Sequence, residues 1–295
     1  MLLLTGATGR VGSALLRRLT TARVPVRCLV RDPRRLGAER VRVQIALGDL
    51  ADPPSFRNAL RGVTTVVHLA ASRRDQPRGS IEELNGIATW RLVQAAERAG
   101  VEHFVFTSAL GASAHNRTRF LRAKALAEQA VVESPLRHTI VAPSVVYAPG
   151  DKLTTLLGRL ALLPVVPISG GGQAHFQPVW ADDVADCLMA ALDRPAGPDC
   201  LSLRAEVAGP DVHTYEEFVR IVLQAAGRPR PLLFVPVAIA ARVLRLTEVL
   251  MKSAAPVTWD EAELLEVPMT ARHGTADAER LGVVPRRLAA VLGAG

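Results

Sequence analysis

The sequence contains few residues of several types, and each scarcity limits what the chain can be. Aromatic residues make up 4% of its 295 positions, and its three cysteines, Cys28, Cys187 and Cys200, are widely spaced without a C-x-x-C pair. An odd number of widely spaced cysteines argues against a disulfide framework and against a zinc site. We therefore expect buried, reduced thiols and no metal. No stretch of about 20 residues is apolar and free of charge, so we expect no membrane-spanning helix.

The start of the chain also lacks the pattern of an export signal. No basic segment precedes its first apolar run, which is shorter than a signal peptide requires. We therefore expect a cytoplasmic protein. The net charge is +8, but the basic residues are scattered and are not interleaved with aromatic residues. We accordingly expect no nucleic-acid partner.

Lysine and tyrosine are both rare in this chain. Lysine occurs only at Lys124, Lys152 and Lys252, and the other 33 of the 36 basic residues are arginines. Because the chain nearly always uses arginine, a lysine indicates a role that is specific to lysine. Tyrosine occurs only at Tyr147 and Tyr215.

What the chain does have is a glycine motif close to its start, within Leu2–Gly12, LLLTGATGRVG. Leu2, Leu3 and Leu4 predict a short buried strand, and Ser13–Leu19 predicts the following helix. Glycines let the backbone approach a ligand closely, and amides at a helix start favour a diphosphate. Between a strand and a helix this motif predicts dinucleotide binding, although tight packing alone also uses small residues. The expected contacts are Gly6, Ala7, Thr8, Gly9, Arg10, Val11 and Gly12.

Strand-length apolar runs alternate with helix-length segments over the first half of the chain. This alternation predicts an α/β fold with a doubly wound parallel sheet. The predicted strands after the first are Val24–Val30, Val41–Ala46, Thr65–Ala70, Val101–Thr107 and His138–Ala142, and the main predicted helices are Glu82–Ala99 and Thr118–Glu133.

After Pro143 the alternation weakens and the chain becomes mostly helical. We expect residues 1–150 to form the dinucleotide-binding core, and residues 151–295 to supply the remaining core elements and a smaller helical lobe for substrate or partner. Asp182 and Asp183 precede an apolar helix and predict its N-cap. The later predicted elements are helices Leu153–Leu163, Asp182–Leu192, Thr214–Ala226, Val237–Met251 and Asp260–Glu266, and a strand over Asp199–Arg204.

Residues at the predicted strand ends indicate which dinucleotide binds. In this fold an acidic residue after the second strand binds ribose hydroxyls, whereas an arginine accommodates a 2′-phosphate. Arg31 holds that position, so NADP(H) is favoured over NAD(H). Because Asp32 follows directly, NAD(H) remains an alternative. The alternative is a solvated turn before Pro33.

Three further strand ends offer cofactor contacts. Asp49, followed by Leu50, is placed to accept from an adenine amino group, and a turn cap is an equally weighted alternative. Small residues end the fourth strand where a cofactor passes, and hydroxyls end the fifth. These residues are Leu69, Ala70 and Ala71, and Thr107 and Ser108.

Taken together, these motifs resemble the short-chain dehydrogenase/reductase superfamily with its NAD(P)-binding Rossmann fold. The segments that carry the likeness are TGATGRVG, HLAA, ELNGIATWRLVQAAERAGVEHFVFTSALGA and PSVVYAPGD. Within the superfamily, Leu163–Leu192 is similar to the atypical branch related to the NADPH-binding accessory subunit of complex I and to NmrA-like proteins. The likeness covers Met1–Leu192 well and the remainder loosely. It implies cofactor contacts at Gly6, Gly9, Gly12, Arg31, Asp49, Ala70 and Pro143, and a structural or proton-relay role for Asn85.

The chain departs from that family at the catalytic pair. Active members place a tyrosine four residues before a lysine; the phenol exchanges a proton with substrate while the lysine binds the nicotinamide ribose. Here the pair is Phe120 and Lys124, and neither Tyr147 nor Tyr215 rebuilds it. We expect Lys124 to retain ribose binding, an exposed helix lysine being the alternative. The candidate catalytic residues are Lys124, Ser108 and Tyr147, with Tyr147 as a replacement acid.

Three functions follow from this pattern. The favoured one is an NADP(H)-dependent oxidoreductase that works without the phenol, and the second is a non-catalytic NADP(H)-binding redox sensor or accessory subunit. A nucleotide-sugar epimerase or dehydratase is the weakest, because that chemistry depends most on the missing tyrosine. The sequence predicts no particular substrate. The apolar segment Pro236–Met251 predicts a core or lid helix, and the resemblance leaves a protein or membrane-surface partner open through the C-terminal helices.

Overall fold

The structure is a computed structural model that describes residues 1–194 and 202–293. Its central strands are β1 Leu2–Thr5, β2 Val26–Val30, β3 Gln44–Leu47, β4 Thr65–His68, β5 His103–Thr107, β6 Arg137–Pro143 and β11 Ser202–Val207. Among the described residues they form a seven-stranded parallel sheet in the order β11-β6-β5-β4-β1-β2-β3. The predicted doubly wound Rossmann-like fold is therefore confirmed.

Short strands and helices complete the described chain. The small strands are β7 Val146–Tyr147, β8 Val166–Ser169, β9 His175–Phe176, β10 Val179–Trp180, β12 His213–Thr214 and β13 Leu232–Val235. Three two-stranded sheets pair β10 with β7, β12 with β9 and β13 with β8. The helices are α1 Arg10–Thr21, α2 Pro53–Arg57, α3 Ala88–Arg98, α4 Arg119–Val132, α5 Lys152–Leu160, α6 Ala181–Asp193, α7 Tyr215–Ala225, α8 Val237–Met251, α9 Trp259–Glu263, α10 Ala276–Arg280 and α11 Leu288–Leu292.

The order in which the chain adds strands to the sheet reverses between β1 and β4. From β1 the chain builds β2 and β3 on one side, and from β4 it builds β5, β6 and β11 on the other. In open α/β sheets the crevice at the carboxyl ends of the strands, where the order reverses, is where ligands bind. The glycine motif follows β1 and therefore lies at this point.

The side chains of the central strands alternate between two buried layers, as period-two geometry requires. Leu4, Val67 and Val105 face α1 and α6, whereas Phe104 and Phe106 face the layer that contains α2 and α3. A separate cluster, with Phe176, Tyr215 and Phe218 among its members, forms the core around α5 and α7. The mostly helical C-terminal region thus has its own apolar core beside the sheet.

Two local predictions need correction. Asp182 and Asp183 do not cap α6, because the N-cap is Trp180 and no side chain caps this helix. Asp182 instead pairs with Arg18, and Asp183 accepts a hydrogen bond from the Arg286 amide at 2.8 Å. Their carboxylates join α6 to other elements, which the local sequence pattern does not reveal.

The predicted helix over 82–99 is interrupted in the structure. Its first part is a π-helix, Glu83–Ile87, and α3 follows it. Within the π-helix Gly86 lies against α4, where an added Cβ would meet the Leu126 Cβ at 3.4 Å. Close helix packing and the side-chain bonds of Asn85, described below, accompany this wider turn.

The cysteines that the structure describes agree with the expectation from the sequence. Cys28 and Cys187 are free and buried, and burial raises the pKa of each thiol to about 12. Cys200 and the first part of the predicted strand Asp199–Arg204 lie outside the described residues. No helix among residues 1–194 and 202–293 is long and apolar enough to cross a membrane.

Candidate cofactor and active site

The glycine turn after β1 is shaped by close backbone packing. Gly6 has φ +73°, and a Cβ there would lie 2.5 Å from the Ala70 amide nitrogen. A Cβ on Gly12 would lie 2.1 Å from the Gly6 carbonyl oxygen. Both positions therefore exclude any larger residue. Gly9 differs, because its added Cβ would meet only the Gly6 oxygen, at 3.2 Å.

Helix α1 begins immediately after this turn, and no acidic side chain of its own lies at its N-terminus. Gly9 is its N-cap, so no side chain caps the helix, and its first turn contains no acidic residue. Gly9 and Arg10 are exposed, whereas Ala7 and Gly12 are buried beneath them. Thr8 and Val11 are half-buried at the same end. The first-turn amides and the helix dipole are thus placed to receive a diphosphate.

The Arg10 side chain connects the glycine turn to the opposite part of the sheet edge. Its Nη2 donates to the Gly150 carbonyl oxygen at 2.5 Å. Gly150 follows β7, so this bond spans the edge between the two halves of the fold. Pro143, at the end of β6 on that side, is buried and accepts from the Leu110 amide at 2.9 Å.

At the end of β2, Arg31 and Asp32 have different surroundings. Arg31 is exposed and its Nη1 donates to Gln76 Oε1 at 3.1 Å. The Asp32 carboxylate caps the short 3₁₀ helix Pro33–Val41 by accepting from the Arg34 amide at 3.0 Å. The acidic group is thus engaged by its own chain, while the guanidinium faces outward.

Asp49, at the end of β3, makes the bonds of a turn residue. Its Oδ1 accepts from the Ala51 amide at 3.1 Å, and its Oδ2 accepts from Arg78 at 2.9 Å. Burial would raise the pKa of this carboxyl, but the Ala51 amide and the positive charges of Arg78 and Arg31 lower it overall. Leu50, beside it, packs on the apolar layer around α2. The structure therefore brings a second arginine, Arg78, to this edge, which the sequence pattern did not reveal.

At the end of β4 the chain lies directly against the glycine turn. The Leu69 amide donates to the Thr5 carbonyl oxygen at 3.2 Å, so the ends of β4 and β1 are joined. Leu69 and Ala70 are half-buried and Ala71 is exposed. These small or partly covered residues line the crevice beside Gly6.

Beneath that crevice, His68 is completely buried in a chain of hydrogen bonds. Its Nδ1 lies 2.6 Å from the Thr5 hydroxyl and its Nε2 lies 2.9 Å from the Thr89 hydroxyl. Thr89 donates to the Asn85 carbonyl oxygen at 2.5 Å, so the His68 Nε2 must donate and the Nδ1 must accept. Burial, aided by the positive charge of Lys124, lowers the pKa of this histidine to about 3.

Asn85 uses its whole side-chain amide on nearby backbone. Its Nδ2 donates to the carbonyl oxygens of Ser72 and Ile81, at 2.8 and 2.7 Å. Its Oδ1 accepts from the Ser72 amide at 3.0 Å. Of the two roles that the family resemblance implies, this geometry corresponds to the structural one.

At the end of β5, Lys124 points inward from α4. It is 3% exposed, and its Nζ donates to the Thr107 carbonyl oxygen at 2.7 Å. The alternative of an exposed helix lysine is therefore wrong. Burial lowers the pKa of Lys124 to about 7, although the charge of Glu128 acts in the opposite direction. Its Nζ also lies 4.7 Å from the Phe106 ring centroid and 5.8 Å from that of Phe120.

Two hydroxyls at this strand end are buried without a hydrogen-bond partner. They are the Oγ1 of Thr107 and the Oγ of Ser108. A buried hydroxyl without a partner is costly, which makes such atoms candidates for binding a ligand. Phe120 lies one helical turn before Lys124 and is almost fully buried. The strand end thus combines an ammonium group, two free hydroxyls and an aromatic ring.

Tyr147 has a different environment from Lys124. It is buried in the apolar core of the C-terminal region, and its hydroxyl has no hydrogen-bond partner. Burial and the negative charges of Asp183 and Asp211 raise its pKa, while the charge of Arg286 lowers it. The charges that act on Lys124 and on Tyr147 therefore belong to separate groups of residues.

The model of the NAD(P)H-binding family matches residues 6–195 of the chain. The chain belongs to this family. The matched segment begins at the glycine turn, directly after β1, and ends just after α6.

Curated relatives place this NAD(P)H-binding protein in the atypical short-chain dehydrogenase/reductase branch. Sterol demethylase protein B of Methylococcus capsulatus is 31% identical over 79% of this chain and 77% of its own length. A mitochondrial complex I protein, NADH dehydrogenase [ubiquinone] 1 alpha subcomplex subunit 9 of Arabidopsis thaliana, is 30% identical over 74% of this chain and 56% of its own. An NAD(P)H azoreductase of Xenophilus azovorans is 29% identical over 78% and 75%. The relatives thus include both reductases and a complex subunit.

Solved structures show the same fold. A nucleoside-diphosphate-sugar epimerase from Staphylococcus aureus aligns with a TM-score of 0.78 at 20% identity, covering 99% of both chains. A UDP-glucose 4-epimerase of Thermus thermophilus in complex with NAD aligns with a TM-score of 0.66 at 21% identity, covering 80% of this chain and 86% of that one. At such identities the likeness concerns the fold alone.

Proposed function

We propose that this protein is an NADP(H)-dependent oxidoreductase that transfers hydride without a phenolic proton donor. The observation that carries the proposal is the buried Lys124, bonded to the Thr107 carbonyl oxygen at the strand end that holds the unpartnered hydroxyls of Thr107 and Ser108, with Phe120 in the tyrosine position. Hydride transfer to a quinone, a flavin or a conjugated alkene needs less proton donation than carbonyl reduction. We therefore infer acceptors of that kind.

The crevice fits an NADP(H) molecule at each of its parts. The uncapped start of α1 suits the diphosphate, because its amides and dipole favour a negative charge. Arg31 and Arg78, both close enough to Asp49 to act on its pKa, suit a 2′-phosphate. Because Asp32 is already engaged with the Arg34 amide, a ribose hydroxyl would have to compete for it. These contacts favour NADP(H) over NAD(H).

The opposite end of the crevice suits the reactive part of the cofactor. When bound, the nicotinamide supplies or accepts the hydride. Lys124 would bind the adjoining ribose through its Nζ, and Thr107, Ser108 and Pro143 would border the ring. Near neutral pH, with a pKa of about 7, Lys124 is present both with and without its proton, so its Nζ can also release or take up a proton. Tyr147 stays a weaker candidate for that role, because burial raises its pKa.

The two parts of the chain would have different roles in binding cofactor and substrate. We infer that residues 1–150 bind the nucleotide and that residues 151–295 supply the remaining core elements and the wall of the substrate cleft. β11 completes the sheet from within the second part, and α5 and α7 form its own core. A cytoplasmic location remains a prediction from the sequence.

A test of this function measures hydride transfer directly. Purified protein is mixed with NADPH carrying deuterium on the nicotinamide C4, together with a quinone, a flavin or an enone. We expect oxidation of NADPH and, for the enone, deuterium in the product. Lys124→Met should reduce the rate at least tenfold, whereas Lys152→Met, which changes an exposed lysine of α5, should leave it unchanged. Tight NADPH binding with no turnover of any acceptor would contradict the proposal.

That contradictory result would favour the second candidate, a non-catalytic NADP(H)-binding protein. Asn85 supports this reading, because its amide is fully used by backbone and is not free to relay a proton. The relatives include the Arabidopsis complex I subunit and a protein named photosystem II assembly factor Ycf39 of Cyanophora paradoxa. In such a role the cofactor would stabilise the fold, by roughly 2.7 kcal/mol at 100 times its dissociation constant. Epimerase or dehydratase chemistry is the weakest candidate, because Phe120 stands where that chemistry needs a phenol beside Lys124.

A further inference from the structure

Helix α8 exposes one apolar face to solvent along its whole length. Ile239, Val243, Leu246 and Leu250 follow one another at spacings of four, three and four residues, so they lie on one side of the helix. All four are exposed, Leu246 at 60% and Leu250 at 73%. Of the two roles that the sequence predicts for this segment, core or lid, the core role is wrong, because only Ala240 of this helix is buried. The unpartnered side is therefore an exposed apolar face.

The neighbouring side of α8 already has its partners. Glu248, the one acidic residue of the helix, accepts a hydrogen bond from the Trp259 amide at the start of α9. Leu244 and Thr247 are half-buried on the same side as Ala240. The exposed face is consequently not the side that the protein uses for its own packing.

Arginines lie beside the exposed face. Arg242 and Arg245 are both exposed; Arg242 lies at one edge of the apolar stripe, about 40° from Leu246, and Arg245 lies farther round the same side, about 100° from Leu246. An apolar stripe bordered by arginines is the pattern of a helix that lies in the plane of a membrane surface. The 15 residues of α8 are too few to span a bilayer, so such a helix would lie on the surface.

Further exposed apolar side chains lie on β13, the strand that precedes α8, and on the loop after α5. Leu233 and Phe234 of β13 are exposed, as are Leu162 and Leu163. Strand β13 pairs with β8, and Arg230 Nε donates to the Ala161 carbonyl oxygen at 3.2 Å, which holds the two segments together. We call the combined apolar faces of α8, β13 and residues 162–163 the α8 surface.

The segments that build the α8 surface carry mainly positive charge. Residues 152–181 and 218–251 contain seven lysines or arginines and one acidic residue, Glu248. The acidic groups nearest to β13 are already paired: Glu216 with Arg220, and Glu266 with Arg117. Positive charge therefore outnumbers negative charge in these segments, so an anionic surface meets a net attraction here.

We propose that the α8 surface docks the protein on the surface of an anionic lipid bilayer. The apolar side chains of α8 and β13 enter the boundary between headgroups and acyl chains, and the arginines contact lipid phosphates. The charge argues against a second copy of the chain as the occupant. A twofold interface brings the same patch against itself, so it would oppose two surfaces that both carry an excess of positive charge.

Vesicle flotation tests the proposal with the full-length protein. Vesicles of phosphatidylcholine alone are compared with vesicles that contain phosphatidylglycerol as well. We expect binding to the anionic vesicles, weaker binding to the neutral ones, and a loss of binding as salt is raised. Leu246→Glu and the double change Arg242→Glu with Arg245→Glu should each weaken binding at least tenfold. Val284→Glu changes a still more exposed apolar residue (78%) outside the α8 surface and should bind like the wild type.

Two further measurements keep the outcomes distinct. The thermal shift produced by NADPH shows whether each variant is folded, and it does not depend on lipid. Sedimentation equilibrium reports the oligomeric state. Failure of the wild type to bind anionic vesicles would overturn the proposal, as would a dimer that Leu246→Glu converts to a monomer. Equal loss of binding in Val284→Glu would also overturn it, because the effect would then not belong to the α8 surface.

Discussion

The Lys124 Nζ lies 2.7 Å from the carbonyl oxygen of Thr107, and this bond joins helix α4 to the end of strand β5. It holds an ammonium group in the interior with a single neutral acceptor and two aromatic rings nearby. Such an arrangement is costly for a charge unless a ligand shares it. Buried ionisable groups with shifted pKa values concentrate at functional sites, which is why this lysine is the centre of the proposed chemistry.

The pH dependence of stability should reveal this lysine in the cofactor-free protein. Its pKa is about 7 in the folded state against 10.5 for the ordinary side chain, so between these values the unfolded chain binds more protons. The free energy of unfolding should therefore gain from this group as pH rises through that window, by up to about 1.4 kcal/mol per pH unit. Urea denaturation at several pH values should show that gain in the wild type and in Lys152→Met but not in Lys124→Met. Parallel profiles for all three proteins would contradict it.

Replacing Phe120 with tyrosine should restore the missing proton donor. The Phe120 ring centroid lies 5.8 Å from the Lys124 Nζ, so a phenol there would stand beside the lysine that lowers its pKa. We expect Phe120→Tyr to gain measurable NADPH-dependent reduction of simple ketones. The wild type and Phe120→Leu should show none. Robust ketone turnover by the unmodified chain would refute this account of the site.

Arg31→Ala should remove the preference for NADPH over NADH. A hydrogen bond to a charged group contributes about 1.5–3 kcal/mol, so NADPH affinity should fall roughly tenfold to a hundredfold while NADH affinity stays unchanged. Thermal-shift or calorimetric titrations with both nucleotides provide the measurement. Arg42→Ala, at another exposed arginine, serves as the control. A preference that survives in Arg31→Ala would assign phosphate recognition elsewhere, with Arg78 the next residue to change.

The glycine turn should tolerate no side chain at Gly6. Gly6 and Gly100 share almost the same positive φ, +73° and +72°, but only Gly6 has backbone atoms within 3 Å of an added Cβ. Strain alone should cost about 1 kcal/mol in Gly100→Ala, whereas strain and the clash together should cost about 3 kcal/mol or more in Gly6→Ala. Urea denaturation compares the two. Equal losses would mean that the turn relaxes around the new methyl group.

His68 should stay neutral well into the acidic range. Because burial lowers its pKa to about 3, the unfolded chain takes up a proton first as pH falls below 6.5, so stability from this group is lost between those values. Nitrogen NMR of the labelled imidazoles should show one fully buried ring protonated at Nε2 alone and unchanged down to about pH 4. A ring assigned to His68 that titrates near pH 6 would contradict the hydrogen-bond chain through Thr5 and Thr89.

Much of the architecture could be predicted from local patterns. The continuous apolar runs at Leu2–Leu4 and Val101–Thr107 indicate strands that are covered on both faces, and the spacing of Gly6, Gly9 and Gly12 indicates a turn between strand and helix. These features depend on neighbours within a few residues, so the sequence alone determined the parallel sheet, the place of the glycine turn and the family. The sequence alone also determined that the phenol is missing, because Phe120 occupies the position four residues before Lys124.

Only the tertiary structure decided which of those residues meet and which remain exposed. The guanidinium of Arg78 bonds to Asp49, 29 positions away in the chain. Asp182 pairs with Arg18 and does not cap its own helix. Lys124 is buried and is not exposed to solvent. The tertiary structure also leaves the apolar face of α8 uncovered, although the composition of that helix is typical of a core. Burial and long-range pairing depend on how distant segments pack, and hydrophobic periodicity contains no information about which partner covers a face.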